Sequence, residues 1–178
     1  FINMKKNFLI STGGSGGHVV PALVLHDHLS KEAKVIISSD KRGLRYLDQD
    51  IIKFKIINTP RLNNFFFLPF NFFVILFLII KSLFFLKREK IDKIFSTGGY
   101  MSLPIILAAI FLRLNIYLIE PNQVLGRANR FFLNHCKKIF CYSRKLKNFP
   151  DNLTDKIAII NPLVRQNVYK SKQFFGAK

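Results

Sequence analysis

Short apolar runs and longer mixed stretches alternate along the chain. Strand-like runs, mostly β-branched or aromatic, recur at Phe8–Ser11, Val35–Ser38, Phe54–Ile57, Ile94–Ser96, Ile116–Ile119, Ile139–Cys141 and Ile157–Ile160. Apolarity this continuous over so few residues fits strands buried on both faces of a parallel sheet. Between them, helical patterns run at 21–31, about 42–48, 70–88, 103–114 and 126–135. The alternation predicts an α/β fold, a doubly wound parallel sheet with helices on both faces. In the common strand order 3-2-1-4-5-6, the first and fourth strands are neighbours at the switch point where ligands bind.

Those two strands are the ones followed by glycine. The first leads into Gly13-Gly14-Ser15-Gly16-Gly17-His18-Val19-Val20-Pro21 and then a helical pattern. Strand, glycine turn and helix together aim backbone N–H groups and a positive helix dipole at an anion. The spacing is neither G-x-G-x-x-G nor a P-loop, so a tight turn without a ligand is the alternative. A second copy of the arrangement, Ile94-Phe95-Ser96-Thr97-Gly98-Gly99-Tyr100, precedes the apolar pattern from Leu103 to Leu114. The two loops are predicted to face each other across one crevice, with His18 and Glu120 at its rim. The stretch Glu120-Pro121-Asn122 ends the fifth strand, where α/β sheets place substrate contacts; helix capping is the competing role for any one of these residues.

The segment from Phe65 to Leu86 holds nine of the 20 Phe residues. A helix from Phe70 to Leu86 would be about 25 Å long, short of the ~20 apolar residues that a spanning helix needs. It is apolar all round, whereas burial on a sheet needs only one face. With Arg61, Lys81, Lys87, Arg88 and Lys90 near it, it reads as an interfacial anchor on an anionic membrane surface that does not cross the membrane.

Composition narrows the partners. The net charge is +18, with 28 Lys and Arg against 10 Asp and Glu, which points to a polyanionic partner. A nucleic-acid-binding domain is disfavoured, because the aromatic residues cluster in one apolar run and do not interleave with basic ones. Cys136 and Cys141 are too few and too poorly spaced for a zinc site or a disulfide framework, and read as reduced thiols flanking a buried strand. A nicotinamide-dependent dehydrogenase lacks its fingerprint, although Asp40 after the second strand stands where a ribose ligand would.

These motifs resemble glycosyltransferase family 28, in particular its peptidoglycan GlcNAc transferases. The family's G-G-T-G-G-H-x-x-P stands here as Gly13 to Pro21, with Ser15 for Thr. Its G-G-Y-x-S-x-P stands as Gly98-Gly99-Tyr100-Met101-Ser102-Leu103-Pro104. Its H-E-Q-N stands as Ile119-Glu120-Pro121-Asn122, with Ile119 and Pro121 replacing His and Gln, followed by Gly126-Arg127-Ala128-Asn129.

The resemblance spans residues 7 to about 165 and implies the N-terminal half of a GT-B enzyme with two Rossmann-like domains. The expected division is an acceptor-binding domain over 5–165 and a truncated interdomain linker over 166–178, with the donor domain absent and the fragment alone inactive. The implied reaction transfers GlcNAc, with inversion, from UDP-GlcNAc to lipid I (undecaprenyl-pyrophosphoryl-MurNAc-pentapeptide), giving lipid II. It implies no cofactor and no required metal, and work at the cytoplasmic face of the bacterial plasma membrane. Carried over by motif, Ser15, Gly16, Gly17 and Asn122 are donor contacts; Arg165 matches the arginine of N-P-V-R, with Leu163 as an extra residue. Gly98, Gly99 and Tyr100 join the substrate-binding set. His18 and Glu120 compete for the role of the base that takes the acceptor's proton. The acceptor half of a split glycosyltransferase is the other enzyme reading.

Overall fold

The computed structural model describes residues 6–47, 52–60 and 68–163. Seven strands form one sheet: β1 (Asn7–Ser11), β2 (Lys34–Ser39), β3 (Phe54–Ile56), β4 (Lys93–Ser96), β5 (Asn115–Glu120), β6 (Lys138–Cys141) and β7 (Ile157–Ile159). Their order is β3-β2-β1-β4-β5-β6-β7, every pair parallel. β1 and β4 are neighbours in register, Ser11 beside Ser96, as the glycine loops after both strands led us to expect. The helices are α1 (Gly16–Leu29), α2 (Leu68–Arg88), α3 (Leu103–Phe111) and α4 (Arg127–Phe132).

Alternate strand residues feed two cores, one on each face of the sheet. Leu9, Ile36, Ile94, Ile116 and Leu118 pack with Phe85 and Leu86 of α2, Ile105 and Ile106 of α3 and Phe132 of α4. Phe8, Ile10, Val35, Ile37 and Phe95 pack with Val19 and Ala22 of α1. On this second face an aromatic row crosses the strands: Phe95 stacks on Tyr117 at 5.2 Å and Tyr117 on Phe140 at 6.0 Å.

Three elements depart from expectation. α1 begins at Gly16, not at Pro21, because Ser15 is extended (φ −124°, ψ 161°) and its carbonyl takes the first helical bonds, from His18 N and Val19 N. Pro21 therefore lies inside the helix, past its first turn, where its missing N–H removes the bond that would run to Gly17 O. The pattern at 42–48 is a single 3-10 turn, Leu44–Tyr46. The last helix gives way to a 3-10 turn, Leu133–His135.

α2 is 21 residues long, about 31 Å at 1.5 Å per residue. It is thus long and apolar enough to cross a membrane by length and composition, which corrects the expectation drawn from its length. It packs against the sheet through Ser82, Phe85 and Leu86, all buried, while Phe70, Phe72, Phe73, Phe77 and Phe84 are each more than 60% exposed. Phe65 to Phe67 and Arg61 lie outside the described residues.

Candidate active site

Both glycine loops turn through backbone angles that side chains resist. Gly13 and Gly14 have φ of 150° and 81°, and Gly98 and Gly99 of 89° and 87°. Space is short as well: a Cβ on Gly13 would lie 2.8 Å from Asp40 Oδ1, and one on Gly99 would collide with Met101 Sδ. Met101 is 5% exposed and sits against Gly13, Gly14 and Gly99, so it wedges the two loops together. Deeper in, Thr97 Oγ1 donates to Thr12 Oγ1 at 2.8 Å and Thr97 N donates to Ser11 O at 3.1 Å. These bonds tie the ends of β1 and β4.

His18 stands on the first turn of α1, half-buried, with Nδ1 2.6 Å from Thr97 O. A carbonyl oxygen only accepts, so Nδ1 carries the proton and Nε2 keeps its lone pair in the neutral ring. Sequence-distant loops thus fix one tautomer of one imidazole.

Glu120 ends β5 and is 2% exposed. Its Oε1 accepts from Asn122 N at 3.2 Å and Asn122 Nδ2 at 3.0 Å; its Oε2 accepts from Gly126 N at 2.8 Å and Asn129 Nδ2 at 3.0 Å. Four donors on one carboxylate make it the organiser of the 121–126 loop. Asn129 Nδ2 also donates to Ile119 O at 3.1 Å, while its Oδ1 is buried without a partner among the described residues.

A cleft of about 690 Å³ opens beside these groups. His18, Gly98, Gly99, Tyr100, Glu120 and Asn122 line its polar part, and Ile75, Leu103, Phe131 and Phe132 its apolar part. Of the residues singled out in the sequence, these first six come together. Ser15, Gly16 and Gly17 do not line the cleft; they sit beside it at the start of α1, where Ser15 and Gly17 are exposed. The N–H groups of Gly16 and Gly17 belong to the first helical turn and have no intrahelical acceptor. Arg165 lies outside the described residues. Sequence reasoning missed Arg42, which also lines the cleft, and named Arg127 and Asn129 only as part of a motif although both line it; Asp40, beside the cleft, was given no part in this site.

Asp40 follows β2 and is 6% exposed. Burial pushes its carboxyl pKa up, but hydrogen bonds from Gly14 N, Arg42 and Gly43 N outweigh that and hold it below the ordinary value. The only advance signal was its place at a strand's carboxyl end.

Residues 8–141 match the glycosyltransferase family 28 N-terminal domain. The chain belongs to this family. Over 172 residues it is 47% identical to the UDP-N-acetylglucosamine–N-acetylmuramyl-(pentapeptide) pyrophosphoryl-undecaprenol N-acetylglucosamine transferase of Pelagibacter ubique, covering 96% of this chain and 48% of that protein. It is 35% identical over 174 residues to the Rickettsia prowazekii protein of the same name, covering 96% of this chain and 44% of that one. Among solved structures it resembles Acinetobacter baumannii MurG, with a TM-score of 0.73 and 25% identity over 86% of this chain and 45% of that one. A Neisseria meningitidis UDP-GlcNAc 2-epimerase bound to UDP-GlcNAc shares the fold, with a TM-score of 0.66 at 16% identity over 97% of this chain and 50% of that one. The family 28 chain spans about half the length of the curated relatives it matches. Its sheet is the Rossmann-like N-terminal domain of a GT-B glycosyltransferase.

Proposed function

We propose that this family 28 domain is the acceptor-binding half of an inverting transferase that moves GlcNAc from UDP-GlcNAc to lipid I, giving lipid II. The activity for which the relatives are named supports the reaction. The observation that carries the site is His18: an imidazole on a cleft, at the carboxyl ends of β1 and β4, with Nδ1–H engaged by Thr97 O. The acceptor hydroxyl must lose a proton as it attacks the anomeric carbon, and His18 Nε2 is the acceptor for it. Glu120, the rival base, already has four donors on its carboxylate, so it holds Asn122 and the 121–126 loop in place for substrate. Gly98, Gly99 and Tyr100 line the acceptor's side of the cleft. Ser15, Gly16 and Gly17 offer the N-terminus of α1 to the donor from beside the cleft, with Asn122 and Arg165 as further donor contacts. The separate donor domain of a GT-B enzyme supplies the rest of the nucleotide pocket, so residues 1–178 alone do not turn over.

The protein works as a peripheral protein at the cytoplasmic face of the plasma membrane, with the exposed Phe face of α2 in the lipid interface. α2 lies in sequence between two parallel strands of one sheet, and Phe85 and Leu86 near its end are buried in the core, which supports docking over crossing. Nucleic acid is not among the partners.

The test is lipid II formation from lipid I and UDP-GlcNAc, using residues 1–178 alone and fused to the C-terminal half of the Pelagibacter ubique relative. The isolated chain is expected to be silent and the fusion active. His18→Ala in the fusion should cost about 10²–10⁴ in rate, the usual contribution of a positioned base. A folded but inactive fusion would count against the reaction. Full activity with His18→Ala would remove His18 from the mechanism.

A further inference from the structure

We propose that Arg42 is the cleft's grip on a diphosphate, held ready for it by Asp40 and Tyr100. The proposal rests on the function above only for the choice of ligand class, since a nucleotide sugar and a polyprenyl-linked acceptor both carry a diphosphate.

A glycine loop after a strand offers its N–H groups to an anion. In the first loop the protein fills part of that place itself. Gly14 N donates to Asp40 Oδ1 at 2.9 Å, and Gly43 N donates to the same oxygen at 3.0 Å. A substrate anion arriving here meets a buried carboxylate, and like charges repel unless a cation stands between them. Arg42 is that cation. Its Nε donates to Asp40 Oδ2 at 2.8 Å, and its Nη2 donates to Tyr100 Oη at 2.7 Å. The guanidinium carbon lies 5.5 Å from the centroid of the Tyr100 ring. The first glycine loop, Arg42 and the second glycine loop therefore form one connected set.

A guanidinium has five N–H donors. Asp40 and Tyr100 engage Nε and one Nη2 hydrogen, which leaves the Nη1 pair and the second Nη2 hydrogen without partners among the described residues. The Nη1–Nη2 edge suits two oxygens of a phosphate at once. Arg42 lines the same cleft as His18, Gly98 and Gly99, and its side chain is 40% exposed. Orientation is already fixed by two bonds, so little freedom is lost on binding.

A strap that merely joins the loops is the competing role. Asp40 Oδ1 already joins Gly14 to Gly43 without Arg42, and Met101 already wedges the loops together. An ion pair at this exposure adds little to folding stability. The strap accounts for one edge of the guanidinium and leaves the other unused.

The test is calorimetric binding to the 178-residue chain of three probes: UDP, farnesyl diphosphate and farnesyl monophosphate. Arg42→Gln is expected to weaken binding of at least one diphosphate by about tenfold or more, and the monophosphate by less. Arg42→Lys should restore part of the loss, because the charge returns without the paired donors. Tyr100→Phe, which keeps the ring and removes the orienting oxygen, should give a smaller loss. Thermal midpoints of all three variants should match the parent. A loss confined to UDP assigns the grip to the donor, and one confined to farnesyl diphosphate assigns it to the acceptor. Unchanged affinity for both diphosphates with Arg42→Gln would overturn the proposal. So would an equal loss for all three probes with a lowered thermal midpoint, the mark of a strap alone, or failure of the parent to bind either diphosphate. Each of these leaves the fusion's transferase activity and its dependence on His18 untouched, so the two readings fail separately.

Discussion

Replacing Phe73, Phe77 and Phe84 with Ser should release the protein from anionic vesicles while leaving its fold intact. The three rings are 66%, 62% and 72% exposed along one side of α2, so their packing contributes little to the core. A Phe side chain carries about 200 Å², which leaves roughly 130 Å² of each ring in water at these exposures. At about 25 cal/mol per Å², inserting one such ring into an apolar layer is worth up to ~3 kcal/mol. An interfacial helix buries only its lower face, so about half of that per ring is a fair working figure. Even then, each Phe→Ser change costs about tenfold in partitioning, and the three together about a thousandfold. Basic side chains near the surface add about 1 kcal/mol each on anionic lipid, so the loss should be measured at fixed lipid charge and salt.

The assay is co-sedimentation with vesicles containing anionic phospholipid, with thermal melting run alongside. The expected result is a lost pellet fraction at an unchanged melting temperature. Retained binding by the triple variant would falsify the anchor and leave surface charge as the sole attraction. A sharp drop in melting temperature would mean instead that the rings pack against protein.

Other expectations concern the loops and the buried ionisable groups. Gly99→Ala should destabilise the domain by about 1–2 kcal/mol from backbone strain at φ 87°, and by more if Met101 cannot move aside, read by chemical denaturation. Asp40 has a folded pKa below its unfolded value of 3.8, so its stabilisation is full above that value and is lost as pH falls through the folded one; Asp40→Asn should flatten this acid limb of a stability–pH profile. Burial pushes the Cys141 thiol up to about 12 from 9.0, with Glu120 and Cys136 adding to the rise. The unfolded chain then releases this proton first, so stability should decline between pH 9 and 12, and the native thiol should resist alkylation at pH 8 until denaturant is added.

The sheet was legible because its strands are buried on both faces and so read as unbroken apolar runs, as Leu9-Ile10 and Val35-Ile36-Ile37 do. The pairing of β1 with β4 was legible because each precedes a glycine loop and a switch point has two sides. Near Leu44 the signal misled. Leu44 and Leu47 are spaced as on a helix, yet Gly43 packs against Ser39 and Gly13, and only a 3-10 turn forms. The roles of Asp40, Arg42 and Glu120 were not legible. Arg42 meets Tyr100 across 58 residues of sequence, and the donors to Glu120 come two, six and nine positions later, spacings that no regular element repeats. Such contacts are made by the fold, and local periodicity does not encode them. The motif set Glu120 and His18 side by side as possible bases; the fold adds that Glu120 takes four donors on its carboxylate while His18 meets Thr97 O through Nδ1.

The helix face and the cleft are better understood as one device than as two. Ile75, on α2, and Phe131, on α4 and 65% exposed, both line the cleft, and Phe72, 63% exposed and three residues before Ile75, stands on the adjoining side of α2 between Ile75 and the Phe73–Phe77 row. The apolar part of the cleft is thus continuous with the face proposed to enter the lipid interface. Its polar part, with His18 and Arg42, lies at the carboxyl ends of the strands. A lipid-linked diphosphate has the same polarity, with an apolar chain that stays in the bilayer and a charged head that leaves it. A domain docked through α2 would meet such a molecule with the chain toward Ile75 and Phe131 and the diphosphate toward Arg42. A water-soluble acceptor would give an exposed Phe side on α2 nothing to do, and an exposed apolar face of this size is a solubility cost that a soluble substrate leaves without an offset. The orientation also orders the expected defects. Ring substitutions on α2 should weaken the meeting with membrane-borne acceptor and spare short, soluble analogues, whereas changes at Arg42 should weaken both if its grip is on the acceptor's diphosphate and neither if it is on the donor's.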